Sequence, residues 1–197
     1  MTNEKKVLEI IKRNDGFITS KEVVENGINN MALTRLINDG VLERISRGYY
    51  VMTGHIADDF YRIQSKSKNS VFSLATALYL HNLSDRTPLV LNMTVPYDYN
   101  GTLRSEKSVS LTFVSRDILD LGVIVIVSPF GTKLRVYDVE KTICDIIKNR
   151  NKMDAEIFSS ALKNYARLKN KDLRKLVQYA RVMKIENKVQ EYMGLLL

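Results

Sequence analysis

The sequence predicts an α+β chain that opens with a winged helix-turn-helix, and three observations predict it. Residues 3–38 carry three short helical patterns separated by turn residues. "VLERISRGYYVM" follows at once as two short strands around a tight turn. Beyond residue 54, strand-like runs give way to helical patterns that fill the last quarter.

The elements follow in order. Val7, Leu8, Ile10 and Ile11 recur at helical spacing, and "NDG" at 14–16 stops that helix after residue 13. Ser20 is placed to cap a second helix, which Asn26-Gly27 ends. Asn29 or Asn30 caps a third, running to about Asn38 with Leu33, Leu36 and Ile37 on its apolar side and Asp39-Gly40 behind it. Ser46-Arg47-Gly48 is the tip of the hairpin.

From Gly54 the pattern predicts a long helix through "HIADDFYRIQSKSK" and a compact one in "SVFSLATALYLHNL". Four strands come next, in "PLVLNMTV", "SVSLTFVS", "GVIVIVSP" and "TKLRVYD", with "GVIVIV" expected to be buried. Helices are expected from Asp138 to Arg150, Asp154 to Leu168, Asn170 to Met183 and Glu186 to Leu196, with Asp138, Asp154 and Asn170 as caps. The expected domains are therefore a winged helix-turn-helix, 1–53, and a mixed domain, 54–197, with a small, mostly antiparallel sheet and C-terminal helices.

Composition narrows the class. Of the 197 residues 45% are hydrophobic and 26% charged, enough apolar surface for a core and too much for a disordered chain. The net charge of +8 favours a polyanionic partner. Lys and Arg against Asp and Glu number 8 and 7 in residues 1–52, 9 and 9 in 53–140, and 13 and 6 in 141–197, so the excess lies in the last quarter. A single cysteine, Cys144, excludes a disulfide scaffold and fits a reducing cytoplasm, the expected location. "MTNEKKVLEIIKRNDG" is too charged for a signal peptide, and no apolar run nears the roughly 18 residues of a membrane span, so no membrane partner is expected.

The third helix turns Asn30, Thr34, Arg35 and Asn38 away from its apolar side, beside the capping Asn29. Asn suits adenine, Arg suits guanine, and Thr offers a hydroxyl or a methyl to a base edge. Arg44, Arg47 and Tyr49 on the following ribbon would form a wing over phosphates or the minor groove. Lys5, Lys6, Lys12, Arg13 and Lys21, on the two preceding helices, supply backbone contacts that fix register. The same residues also suit an ordinary solvated face, and some winged helices only dock proteins; the coincidence of helix order, turn glycine, polar face and arginine-tipped ribbon favours double-stranded DNA.

These residues carry a resemblance. "GFITSKEVVENGINNMALTRLINDGVLERISRGYYV" resembles the N-terminal domain of the AbiEi antitoxins of abortive-infection AbiE systems, which are type IV toxin–antitoxin pairs. "ATALYLHNLSDRTP", "TVPYDYN" and "FGTKLRVYDVEKTICDIIKNR" extend the resemblance over nearly the whole chain. It implies a phage-resistance antitoxin whose first domain represses its own operon at inverted repeats in promoter DNA. It implies further that the second domain opposes a nucleotidyltransferase toxin, without needing a stable complex with it.

In the second domain Asp138 and Glu140 suit the start of a helix better than acid–base chemistry. Lys148, Arg150, Lys152, Lys163, Arg167, Arg174, Lys175 and Arg181 make the terminal helices basic, which fits solubility, extra phosphate contacts, or a surface for a toxin or its nucleic-acid substrate. Tyr97 and Tyr99 offer stacking faces, though a turn built on Pro, Asp and Asn is the simpler reading of "PYDYN". His55 and His81 lack partners at metal-ligand spacing, so no metal, cofactor or catalytic residue is expected and the chain reads as a non-enzyme. "GTLRSEKS" fails as a phosphate loop because Glu106 stands where Gly is needed. The alternative function is a winged-helix regulator whose second domain senses a ligand or docks a protein, with no antitoxin role.

Overall fold

The computed structural model describes residues 1–194. They divide into two compact units, one made of Met1–Ser65 with Val127–Lys133 and the other of Lys66–Ile126 with the chain from Leu134 onward.

The first unit contains α1 (Asn3–Arg13), β1 (Phe17–Thr19), α2 (Ser20–Glu25), α3 (Met31–Asn38), β2 (Leu42–Ser46), β3 (Tyr49–Met52) and α4 (Asp59–Ser65). Its three strands form an antiparallel sheet in the order β1-β3-β2. The core joins Val7 and Ile11 of α1, Val23 of α2, Leu33 and Leu36 of α3, and Leu42 and Tyr50 of the ribbon. Thr19, one residue before the expected Ser20, caps α2: its Oγ1 accepts from Glu22 N while Glu22 Oε2 accepts from Thr19 N. Gly40 ends α3 at φ +70° and Gly48 turns the ribbon at φ +76°, left-handed positions that a side chain would strain.

A second cluster closes the first unit. Phe17 stacks on Tyr49, and Tyr61 of α4 tilts against both. Asp58 is fully buried behind them: it accepts from Tyr61 N at 3.1 Å, from Ser128 Oγ at 2.6 Å and from Thr132 Oγ1, while its carbonyl accepts from Tyr49 Oη. These bonds set the start of α4. The helix expected through residues 55–68 is accordingly confined to Asp59–Ser65.

The second unit contains β4 (Val71–Phe72), α5 (Leu74–Leu80), β5 (Leu91–Pro96), β6 (Val109–Val114), α6 (Arg116–Leu119), β7 (Val123–Val127, its last residue counted with the first unit), β8 (Lys133–Tyr137, its first residue counted with the first unit), α7 (Val139–Lys148), α8 (Ala155–Arg167), α9 (Leu173–Val182) and α10 (Glu186–Gly194). The sheet order is β6-β5-β4-β8-β7. The α+β class holds, but this sheet is mixed: β5 pairs β6 and β4 pairs β8 in parallel, and only β4 and β5 are antiparallel among the registered pairs. The stretch expected as one helix from Ser70 begins instead as β4, because Val71 and Phe72 pair with Thr94 and Met93.

Two further expectations change. β7 is an edge strand, and Val125 and Val127 are 62% and 65% exposed, so "GVIVIV" is not buried. A continuous apolar run does not reveal how many of its faces find neighbours. Asp172, not Asn170, caps α9 by accepting from Lys175 N. The last part of the final expected helix, residues 195 and 196, lies outside the described residues.

The helices of the second unit pack around α7, whose buried residues include Ile143, Cys144, Ile146 and Ile147. Asp138 caps α7 through Lys141 N and is buried. Its Oδ2 also accepts from Tyr179 Oη and pairs with Lys175. Glu140 is likewise buried and accepts from Asp172 N. Burial pushes the Cys144 thiol up to about 12, which keeps it an unreactive core group.

Asp58→Ala should cost about 2 to 5 kcal/mol of stability, because it strands two buried hydroxyls and uncaps a helix. Urea denaturation beside the exposed control Asp59→Ala, expected to lie within about 0.5 kcal/mol of the parent, measures the difference.

Candidate nucleic-acid interface

Helix α3 separates its side chains into two arcs. At 100° per residue, Asn30, Met31, Thr34, Arg35 and Asn38 fall within about 140°. Ala32, Leu33 and Leu36 point the other way into the core, with Ile37 half-buried at its margin. All five residues of the polar arc are exposed.

Asn29 and Asn30 divide the start of the helix between them. Asn29 Oδ1 accepts from Met31 N at 2.9 Å, while Asn30 stands at the cap position with helical backbone angles and makes no capping bond. Asn29 is therefore committed to the fold, and the Asn30 amide is left to the surface. Met31, 61% exposed on this arc, is not among the residues the sequence singled out. Its position on the helical wheel could have revealed it, and its apolar tip suits contact with a thymine methyl.

Arg35 is not wholly free. Its Nη1 donates to Glu4 Oε1 at 2.8 Å, a bond between the start of α1 and the polar arc of α3. Backbone N–H at the helix start, and then Arg35, hold the Glu4 carboxyl below the usual range, so the pair is charged at neutral pH. Glu4 also escaped the sequence reading, since an acid in a first turn is explained by the helix dipole alone.

The flanking cations are exposed. Lys5, Lys6, Lys12 and Arg13 lie on α1, Lys21 on α2 within 3.9 Å of Glu25, Arg44 on β2, and Arg47 in the turn beside Gly48. Tyr49 corrects the expectation for the wing. It is 2% exposed, its ring is stacked on Phe17 and its hydroxyl is bound to Asp58 O, so it supports the ribbon from beneath and reaches no ligand. Desolvation pushes that hydroxyl well above the ordinary tyrosine range.

In the second unit the eight basic residues separate by local role. Arg150 lies over the Phe158 ring, Lys175 pairs with Asp138, and Arg181 with Glu186. Lys148, Lys152, Lys163, Arg167 and Arg174 are exposed and make no side-chain hydrogen bond or ion pair among the described residues. No group of His, Cys, Asp and Glu among the described residues is arranged to hold a metal, and none of their helices is long and apolar enough to cross a membrane.

Three helices, a ribbon returning to the sheet, and an exposed polar arc on the third helix give the first unit the element order of a winged helix-turn-helix. Residues 5–53 match the family model described as "Transcriptional regulator, AbiEi antitoxin". No curated protein matches the chain. Among solved structures, the crystal structure of the RV2827C protein from Mycobacterium tuberculosis is similar at a TM-score of 0.48 and 15% identity, over 95% of this chain and 82% of that one. That likeness is too distant to carry a functional argument.

The two arcs of α3 make opposite demands. Leu33→Ala should cost about 2 to 5 kcal/mol by opening a core cavity, and Thr34→Ala or Asn38→Ala should change stability by no more than about 0.5 kcal/mol. Thermal or urea denaturation of the three variants tests the division.

Proposed function

We propose that the chain is an antitoxin that represses its own operon, with residues 1–53 binding inverted repeats in the promoter and residues 54–197 counteracting a nucleotidyltransferase toxin. The observation that carries the DNA reading is the exposed arc of Asn30, Met31, Thr34, Arg35 and Asn38 on a helix whose other side is consumed by the core. Arg35 and the two Asn side chains are groups that read guanine and adenine edges in the major groove. Arg44 and Arg47 extend the contact to phosphates, and Lys5, Lys6, Lys12, Arg13 and Lys21 supply candidate backbone anchors. The toxin partner is supported by the family's description as an antitoxin and by the resemblance of the second domain's motifs.

The Glu4–Arg35 bond gives this reading a physical refinement. An arginine held by a carboxylate loses rotamer freedom before binding, and the same carboxylate repels phosphate. Positioning and repulsion therefore oppose each other at one side chain.

Three measurements test the proposal. Gel-shift titration with the upstream promoter should show Arg35→Ala weakening specific binding about tenfold or more while random duplex is affected less; equal loss on both would assign Arg35 to phosphate. Arg47→Ala should lower affinity and flatten the salt dependence by about one unit of slope, and an unaltered slope would remove the wing contact. Growth rescue on co-expression with a cognate nucleotidyltransferase toxin tests the second role, and no rescue by the intact chain would leave a regulator without antitoxin activity.

A further inference from the structure

The second unit holds a cavity of about 320 Å³ that the DNA and antitoxin readings leave unused. It lies across the ends of the parallel pair β5 and β6 and the C-terminal end of α7. Tyr97 follows β5 directly and is 69% exposed, and Thr112 comes from β6. Asp145 and Lys148 come from α7, and Lys152 from the turn beyond it. The carboxyl ends of parallel strands are where open sheets place ligands, and the volume is within the range of small-molecule sites.

Asp145 is the unusual member. It is 8% exposed, its Oδ1 accepts from Lys141 Nζ at 2.7 Å, and its Oδ2 has no hydrogen-bond partner among the described residues. A buried carboxylate oxygen without a partner is costly, and a ligand N–H would satisfy it. Desolvation pushes this carboxyl up, against the pull of Lys141 and Lys148.

The cations need a second account. Lys148 in the last turn of α7 complements the helix dipole, which explains it without a ligand. Lys152 lies four residues farther along, past the helix end, where the dipole has faded. Both are exposed and make no ion pair among the described residues.

We propose that this cavity binds a mononucleotide: phosphate on Lys148 and Lys152, the base beside Tyr97 with an N–H directed to Asp145 Oδ2, and the sugar near the Thr112 hydroxyl. An aromatic ring, an acceptor that lacks a donor, and two cations at the mouth match the three parts of such a ligand. An inorganic anion would leave Tyr97 and Asp145 without a role. Nothing in this site depends on whether α3 reads DNA, so the two readings fail separately.

Calorimetric titration of the full chain with AMP, GMP, CMP and UMP, and with inorganic phosphate alone, tests the site. Saturable binding of at least one mononucleotide is expected. It should be weakened tenfold or more by the double variant Lys148→Ala/Lys152→Ala and several-fold by Tyr97→Ala. Both changes fall on exposed side chains, and circular dichroism should show the fold unchanged. Lys188→Ala, the loss of an exposed lysine on α10, should leave the affinity as it was. The proposal is overturned by any of three results: no mononucleotide binds at millimolar concentration, affinity is unaltered in the double lysine variant, or phosphate alone binds as tightly as every nucleotide.

Discussion

Burial of one side of an eight-residue helix is the constraint on which the first unit depends. Ala32, Leu33 and Leu36 of α3 fill the space against α1 and the ribbon, and no rotation of the helix keeps them there while hiding the other arc. Asn30, Thr34, Arg35 and Asn38 are therefore presented by the same packing that holds the domain together. Precision comes with stability, because the face moves only if the core does.

The ribbon is held in a comparable way. Tyr49 is spent on structure: stacked on Phe17, it anchors to the Asp58 carbonyl the strand that carries the exposed turn. Asp58 then gathers Tyr61 N, Ser128 Oγ and Thr132 Oγ1 into one buried network, in which each polar group finds its partner inside the unit. Such a network is specific because a change at any member leaves others unsatisfied.

The second unit uses buried charge differently. Asp138 caps α7, accepts from Tyr179 and pairs with Lys175, so one carboxylate joins α7 to α9. One turn on, Lys141 is 1% exposed, bonded to Asp145 and set 4.0 Å from the centre of the Tyr137 ring. The stretch "YDVEKTICDI" is therefore a framework of paired charges inside the core. Asp145 is where the pairing stops short, and the cavity opens beside it.

The sequence by itself determined what depends on neighbours a few residues apart: the three N-terminal helices, the glycine-tipped ribbon, the caps at Asp138 and Asp154, and the polar arc of α3. Helical periodicity and local turn chemistry are written within such a span. Tertiary structure decided the rest. It buried Tyr49, exposed Val125 and Val127, tied Arg35 to Glu4, made the larger sheet mixed, and left Asp145 Oδ2 without a donor. Each of these turns on which distant segment arrives beside the residue. A residue type states what a side chain can bond or bury, and only the packed chain states what is there to meet it.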